Sequence, residues 1–126
     1  MKRIIFLIFL IAFPVNAQDK LDSAFKKLIK KDGLEIYFVF YSEGNGINDN
    51  GVVIYLSNKN DYRISYHFKL IFRADTVDKF QYVSGILKPL ERKTGSNEGL
   101  FFIPFKDKRT ISEVGITNYR VEKKSD

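Results

Sequence analysis

Residues 63–73 read RISYHFKLIFR and carry the clearest pattern in the chain. Large apolar side chains occupy every second position of this stretch: Ile64, Tyr66, Phe68, Leu70 and Phe72. Successive side chains of a β-strand point to opposite faces, so a period of two predicts a strand with one face in a core. An unbroken alternation of this length is typical of the central strand of a sheet.

Further strands are predicted on both sides of this stretch. Segments rich in β-branched and aromatic residues lie at 34–41, 52–57, 79–88, 99–105 and 111–123, with turn-forming residues between them. In the fourth strand the pattern slips at Ser84-Gly85, which predicts a bulge that restores the facing of Leu87. In the last strand, Tyr119 and Val121 require a register shift. Strands separated by turns about every ten residues, without long helices, predict a single all-β domain over 34–123, an antiparallel sandwich of about seven strands.

The segment 18–33 is amphipathic and has two possible structures. Leu21, Phe25, Leu28 and Ile29 have helical spacing, and Asp32-Gly33 could end a short helix. The alternative is a first edge strand that packs on the domain while its lysines meet water. A basic helix on an anionic surface is a further interpretation.

Residues 1–17 have the pattern of a cleavable export signal. Lys2-Arg3 precede an apolar run, and Val15-Asn16-Ala17 resemble a cleavage site that places the mature start at Gln18. The run is shorter than the roughly 20 residues that span a bilayer, although an uncleaved anchor is the alternative. We therefore expect a periplasmic or secreted protein with no transmembrane segment after cleavage.

The amino-acid composition excludes disulfides as a source of stability and argues against one class of partner. The chain has no cysteine, so an exported form cannot use disulfides. It must rely for core packing on the 16 of the 19 Phe and Tyr residues that follow residue 17. The net charge of +6 is scattered along the chain. An exported protein rarely meets nucleic acid, so we expect no nucleic-acid partner.

The residues that carry catalysis are sparse. His67 is the single histidine and falls on the non-core face of the best strand, where a surface role is expected. No cysteine exists for thiol chemistry, and the paired acids Asp75 and Asp78 fall in a turn. The sequence therefore predicts a protein that is not an enzyme and that has no cofactor and no bound metal.

Two groups of residues could bind a partner. The first is the turn-rich loop with Glu43, Asn45, Asn48, Asp49 and Asn50, which only loosely resembles a calcium loop because its first and twelfth positions lack acids. The second group consists of Tyr37, Tyr41 and Tyr55 on the outer faces of the first two predicted strands. These tyrosines could instead form a second packed face beneath the N-terminal segment.

The stretch from Asn58 to Tyr66, with the pattern N-x-x-x-Y-x-[IV]-x-[YF], and the corner Leu87–Glu91 resemble small exported bacterial immunoglobulin-like sandwiches. The resemblance covers about 33–121, and the absent Cys…Trp…Cys core excludes the antibody subgroup. It implies an immunoglobulin-like β-sandwich that serves as a binding or spacer module. We therefore expect an exported, non-catalytic module for a protein or cell-surface partner. The alternatives are self-assembly through strand edges and, third, a glycan-directed enzyme.

Overall fold

A computed structural model describes residues 25–42 and 49–125, which form eight strands and one 3₁₀ turn, Ser96–Glu98. The strands are β1 Lys26–Lys31, β2 Leu34–Tyr41, β3 Gly51–Asn58, β4 Ile64–Ala74, β5 Val77–Leu87, β6 Arg92–Thr94, β7 Phe101–Phe102 and β8 Glu113–Lys123. Every strand pairing is antiparallel. The predicted all-β sandwich is confirmed.

The strands divide between two sheets. The first sheet has the order β1-β2-β3-β6, with β7 also paired to β3, and the second has the order β5-β4-β8. The chain forms a three-strand meander, crosses to the second sheet for the β4–β5 hairpin, returns for β6 and β7, and crosses again for β8. Strand β4 is therefore the centre of the second sheet, as its sequence pattern predicts.

The core lies between the two sheets and is built from the inward faces of β2, β3 and β4. Every inward side chain of β4 from Ile64 to Phe72 is buried, and these pack against Leu34, Ile36 and Ile54 of the first sheet. Full burial of one such side chain stabilises the fold by about 1.5–3 kcal/mol. Aromatic and aliphatic packing thus supplies the stability that small exported domains often obtain from disulfides.

The N-terminal segment contributes a strand and not a helix to the described structure. Lys26–Lys31 pairs with β2, as the edge-strand interpretation of this segment predicts. Leu21, the first residue of the apolar stripe, lies outside the described residues. Asp32 and Gly33 both have positive φ, 56° and 77°, and link the pair Lys31–Leu34 as a two-residue hairpin turn. A turn of this kind matches the twist of paired strands, so Asp-Gly favours a hairpin here.

The bulge predicted at Ser84-Gly85 is wrong. Strand β5 pairs with β4 in one continuous register from Val77 to Leu87. Gly85 faces inward opposite Tyr66, and a Cβ atom at Gly85 would lie 2.5 Å from the Tyr66 hydroxyl oxygen. The glycine therefore makes room for a buried ring and does not mark an extra residue.

The register shift predicted in the last strand is confirmed. The pairing of β4 with β8 shifts between His67 and Lys69, and Asn118 takes a left-handed conformation with φ of 54°. The shift places one extra residue in β8. Because of it, Tyr119 and Val121 pack against the core on the same side as Val114 and Ile116.

Asn58 ties three turns together at one end of the sandwich. Its buried amide Nδ2 donates to the carbonyls of Tyr62 (3.1 Å) and Lys88 (2.9 Å), and its Oδ1 accepts from the backbone and side-chain nitrogens of Asn60. The Glu91 carboxylate accepts from the Lys88 amide at 2.7 Å. The residues on which the immunoglobulin-like resemblance depends are thus structural anchors in this chain.

Candidate functional site

Two of the predicted tyrosines meet on the outer face of the first sheet. Tyr37 and Tyr55 are directly opposite on β2 and β3, with ring centroids 5.8 Å apart, and Phe25 lies 5.4 Å from Tyr55. We call Phe25, Tyr37 and Tyr55 the outer tyrosine cluster. All three are half-buried, and Arg92 donates to the Tyr55 hydroxyl at 3.3 Å. These rings are largely engaged with one another and with their own sheet.

Tyr41 does not join the outer tyrosine cluster. It lies four residues further along β2, is 49% exposed and packs edge-on against Phe101 with centroids 5.3 Å apart. The three tyrosines therefore do not form one platform. The contact of Phe25 with Tyr55 places the described end of the N-terminal segment on this face. This agrees with the alternative in which the tyrosines form a packed face beneath that segment.

The predicted binding loop is described only in part. Glu43, Asn45 and Asn48 lie outside the described residues. The backbone carbonyl of Asp49 accepts from the Ile111 amide at 2.9 Å, and Asn50 is buried. These last two residues thus attach the end of the loop to the domain.

Two of the aromatic residues that are exposed in the described structure lie on the outer face of the second sheet. Phe80 and Tyr82 are 56% and 58% exposed, and Ile86 on the same strand is 42% exposed. His67 and Lys69 of β4 are the cross-strand neighbours on this face. We call these five residues the basic–aromatic face.

The two basic residues of the basic–aromatic face, Lys69 and His67, lie against its aromatic rings. Lys69 Nζ lies 4.6 Å from the ring centroid of Phe80 and 5.6 Å from that of Tyr82. The His67 ring stacks on Tyr82 with centroids 6.0 Å apart and 25° between the planes. Cation–π attraction of this kind contributes about 0.5–1 kcal/mol at exposed sites. The single histidine is therefore part of an open, packed surface.

An ion-pair network borders this face at the hairpin end. Arg73 Nε and Nη2 donate to the two carboxylate oxygens of Asp78 at 2.8 and 3.1 Å, and Arg73 Nη1 lies 3.3 Å from Glu113. The hydrogen bonds from Arg73 hold the pKa of the Asp78 carboxyl below its usual value. Within the part of the chain that the structure describes, Lys69 has no such carboxylate partner.

Sequence reasoning missed the basic–aromatic face because it placed a bulge in β5. An uninterrupted alternation from Lys79 to Leu87 would have put Phe80, Tyr82 and Ile86 on the face opposite Val83 and Leu87. The missing signal was the pairing of Gly85 with Tyr66, which only the folded structure brings together.

A concavity opens between the sheets beside β1 and β8. It has a volume of about 440 Å³, and its lining includes Phe38, Phe40, Val114, Lys26 and Glu113. In residues 25–42 and 49–125, no group of three or more His, Cys, Asp or Glu side chains is placed to hold a metal ion. In the same ranges no helix is long and apolar enough to cross a membrane.

Comparison of the chain with protein-family models, with curated proteins and with solved structures finds no match.

Proposed function

We propose that the protein is an exported, non-catalytic interaction module that binds a protein partner through the basic–aromatic face. The observation that carries this proposal is the exposure of Phe80 and Tyr82 side by side on one strand, with Ile86 beyond Ser84 on the same face. Contiguous exposed apolar side chains mark interaction sites more often than scattered ones do.

The chemistry of the face indicates the kind of partner. Aromatic residues are enriched at the centres of protein interfaces, where they bury large areas and lose little conformational freedom. Lys69 is already positioned between two rings, so it can donate to a carboxylate without a large loss of side-chain entropy. A protein surface with an apolar patch flanked by Asp or Glu fits this arrangement.

The position of His67 supports binding over catalysis. A general base must reach the proton that it removes and is commonly oriented by a third group. Here the imidazole stacks on Tyr82 on an open sheet face. The glycan-directed enzyme therefore ranks below the interaction module.

The immunoglobulin-like resemblance stays a prediction. Immunoglobulin domains place strands A, B, E and D in one sheet and C, F and G in the other. In this chain the first three strands are consecutive neighbours in one sheet. The likeness lies in the two-layer antiparallel architecture and supports, by analogy, a binding or spacer role.

Capture of partners from the native envelope tests the proposal. The double variant Phe80→Ser/Tyr82→Ser should lose crosslinked partners by tenfold or more, because its two largest apolar contacts are gone. Tyr41→Ser removes an equally exposed tyrosine from the other sheet and should leave capture unchanged. Both proteins must keep the wild-type circular dichroism spectrum.

Two results would redirect the proposal. Unchanged capture by the double variant, with loss when residues 45–50 are replaced by a short turn, would move the site to that loop. Capture of cell-wall polysaccharide in place of protein would replace the proposed class of partner.

Self-assembly is the second candidate function. The observation that favours it is the long, sparsely charged strand β5 at the edge of the second sheet.

A further inference from the structure

Strand β5 has one paired side and one open side. Val77–Leu87 pairs with β4 along its whole length, and no other strand of the described residues pairs with it. The hairpin closes at the pair Ala74–Val77 over two residues, so Val77 and every second residue after it point their backbone groups toward β4. Residues 78, 80, 82, 84 and 86 therefore point their N–H and C=O groups outward.

Two side-chain contacts agree with this assignment. Gln81 Nε2 donates to the carbonyl of Tyr82 at 3.1 Å, and Lys93 Nζ donates to the carbonyl of Ile86 at 3.2 Å. Neither donor belongs to β4, so both carbonyls lie on the open side. A pairing strand would displace these two exposed donors.

The other edge strands of the described structure carry features that block pairing. β8 is as long as β5, but the bulge at Asn118 interrupts it and charged residues occupy both of its ends. β1 has lysine at four of its six positions, and β6 and β7 are three and two residues long. Bulges, edge lysines and short strands are the usual means by which sheets avoid edge-to-edge association.

β5 is long and has no bulge, and its one lysine, Lys79, lies near the hairpin end. Its register is continuous, it contains no proline, and the eight residues from Phe80 to Leu87 carry no charge. Antiparallel pairing of this strand with its own copy, centred on Tyr82, places Asp78 opposite Ile86 and Lys79 opposite Gly85. No like charges meet, so the edge is electrostatically compatible with itself.

We propose that a second copy of this chain pairs with β5 in antiparallel fashion about a two-fold axis at Tyr82. The two three-stranded sheets then become one six-stranded sheet. Both copies of Phe80 and Tyr82 lie on the same side of that sheet, so the dimer doubles the basic–aromatic face. The inference deepens the second candidate function, self-assembly, and does not depend on partner binding by the basic–aromatic face.

The contact is a single ladder with flanking side chains. We expect a contact of this kind to belong to the small interfaces, below about 1,200 Å² in total, that are typical of weak and transient association. The dimer should therefore form only at the higher protein concentrations. Sedimentation and light scattering of the purified protein, from low micromolar to near-millimolar concentration, should show a monomer that converts to a dimer.

Substitutions at Ser84 separate edge pairing from folding. Ser84→Pro removes an N–H group on the open side, where β4 does not use it, and proline is tolerated at such positions of edge strands. This variant should stay monomeric at every concentration with an unchanged circular dichroism spectrum. Ser84→Ala retains the N–H group and should dimerise as the wild type does.

A cysteine scan gives a second measurement that does not need the proline variant to fold. The chain has no cysteine, so one introduced cysteine can form a disulfide only between copies. Hydrogen-bonded residues across an antiparallel pair have Cα atoms about 5.5 Å apart, within disulfide range. Tyr82→Cys should crosslink under oxidation. Lys27→Cys, exposed on β1 at the edge of the first sheet away from β6, should not.

A wild-type protein that stays monomeric throughout the concentration range would overturn the inference. Equal dimerisation of Ser84→Pro and Ser84→Ala, or equal crosslinking at positions 82 and 27, would also overturn it. Ser84→Pro keeps Phe80 and Tyr82, so its capture of envelope partners tests the basic–aromatic face separately.

Discussion

Gly85 shows how one residue sets the facing of a whole strand. The ring of Tyr66 occupies the space of the missing side chain and itself stacks on Phe68 with centroids 6.0 Å apart. Burial raises the pKa of the Tyr66 hydroxyl, with smaller contributions from Glu98 and Glu91. A side chain at position 85 would have to displace this ring or the strand.

Gly85→Ala should therefore lower the free energy of unfolding by about 1–3 kcal/mol, the usual consequence of overpacking a core. Gly115→Ala is the matched control, because its Cβ atom would only reach ordinary contact with Ile71 at 4.0 Å. Urea denaturation of both variants measures the difference. Equal stability of the two proteins would contradict the steric role of Gly85.

The sequence identified some important residues but not the contacts that they make. The Asn58–Tyr66 pattern was noticed as a family resemblance, whereas its physical basis is the set of hydrogen bonds that Asn58 makes to the turns around it. The Lys88 carbonyl is thirty residues away in the chain. Such partners follow from the fold and not from local sequence.

At the scale of elements, β1 and β8 join the two sheets along one side of the sandwich. The Tyr119 hydroxyl of β8 donates to the Lys31 carbonyl at the end of β1, at 2.6 Å. Burial, with a smaller contribution from Asp32, raises the pKa of Tyr119 from about 10 to about 12. The folded state thus favours the protonated phenol.

A raised pKa means that the contribution of this phenol is complete below pH 10 and is lost as the pH rises from about 10 to about 12. Tyr119→Phe should lower the free energy of unfolding at neutral pH by about 0.5–1.5 kcal/mol, the net value of one hydrogen bond. The difference between variant and wild type should shrink above pH 10. Urea titrations at several pH values measure it, with the exposed Tyr41→Phe as control. A difference that is constant with pH would contradict the role of the phenol.

Most strands could be predicted because their faces differ in polarity. β2 was predicted with the bounds that it has, and β4 within one residue at each end. The secondary structure of residues 26–31 was ambiguous because Leu28 and Ile29 fit both a helix and a strand. Among the described strands, β1 pairs only with β2. The Asp32-Gly33 turn was the signal that could have decided between them.

At the scale of the molecule, the two-layer architecture followed from alternation and turn spacing, but the surface proposed for binding did not. The tyrosines of the first sheet were visible as outward residues, yet their mutual packing and half-burial depend on Phe25 and on the pairing of β2 with β3. The basic–aromatic face requires the register between β4 and β5. Surfaces composed from neighbouring strands need that register before they can be recognised.

The export hypothesis makes a prediction for the whole chain. Expressed with its first 17 residues in a bacterium, the protein should be recovered from the periplasm or medium, because segments with this pattern direct secretion. Its intact mass should correspond to a chain that starts at Gln18. A substitution of Ala17 by a large charged residue should leave the precursor uncut. Recovery of a chain with Met1 still attached would contradict the prediction.

The central position of β4 has a consequence for the timing of folding. One of its neighbours, β5, follows it directly, whereas the other, β8, is about forty residues further along. During synthesis, β4 can form a hairpin with β5 early, but its other edge has no partner strand until residues 113–123 have been synthesised. A nascent chain that lacks β8 therefore exposes one backbone edge of β4, and the second sheet is complete only once β8 has been added.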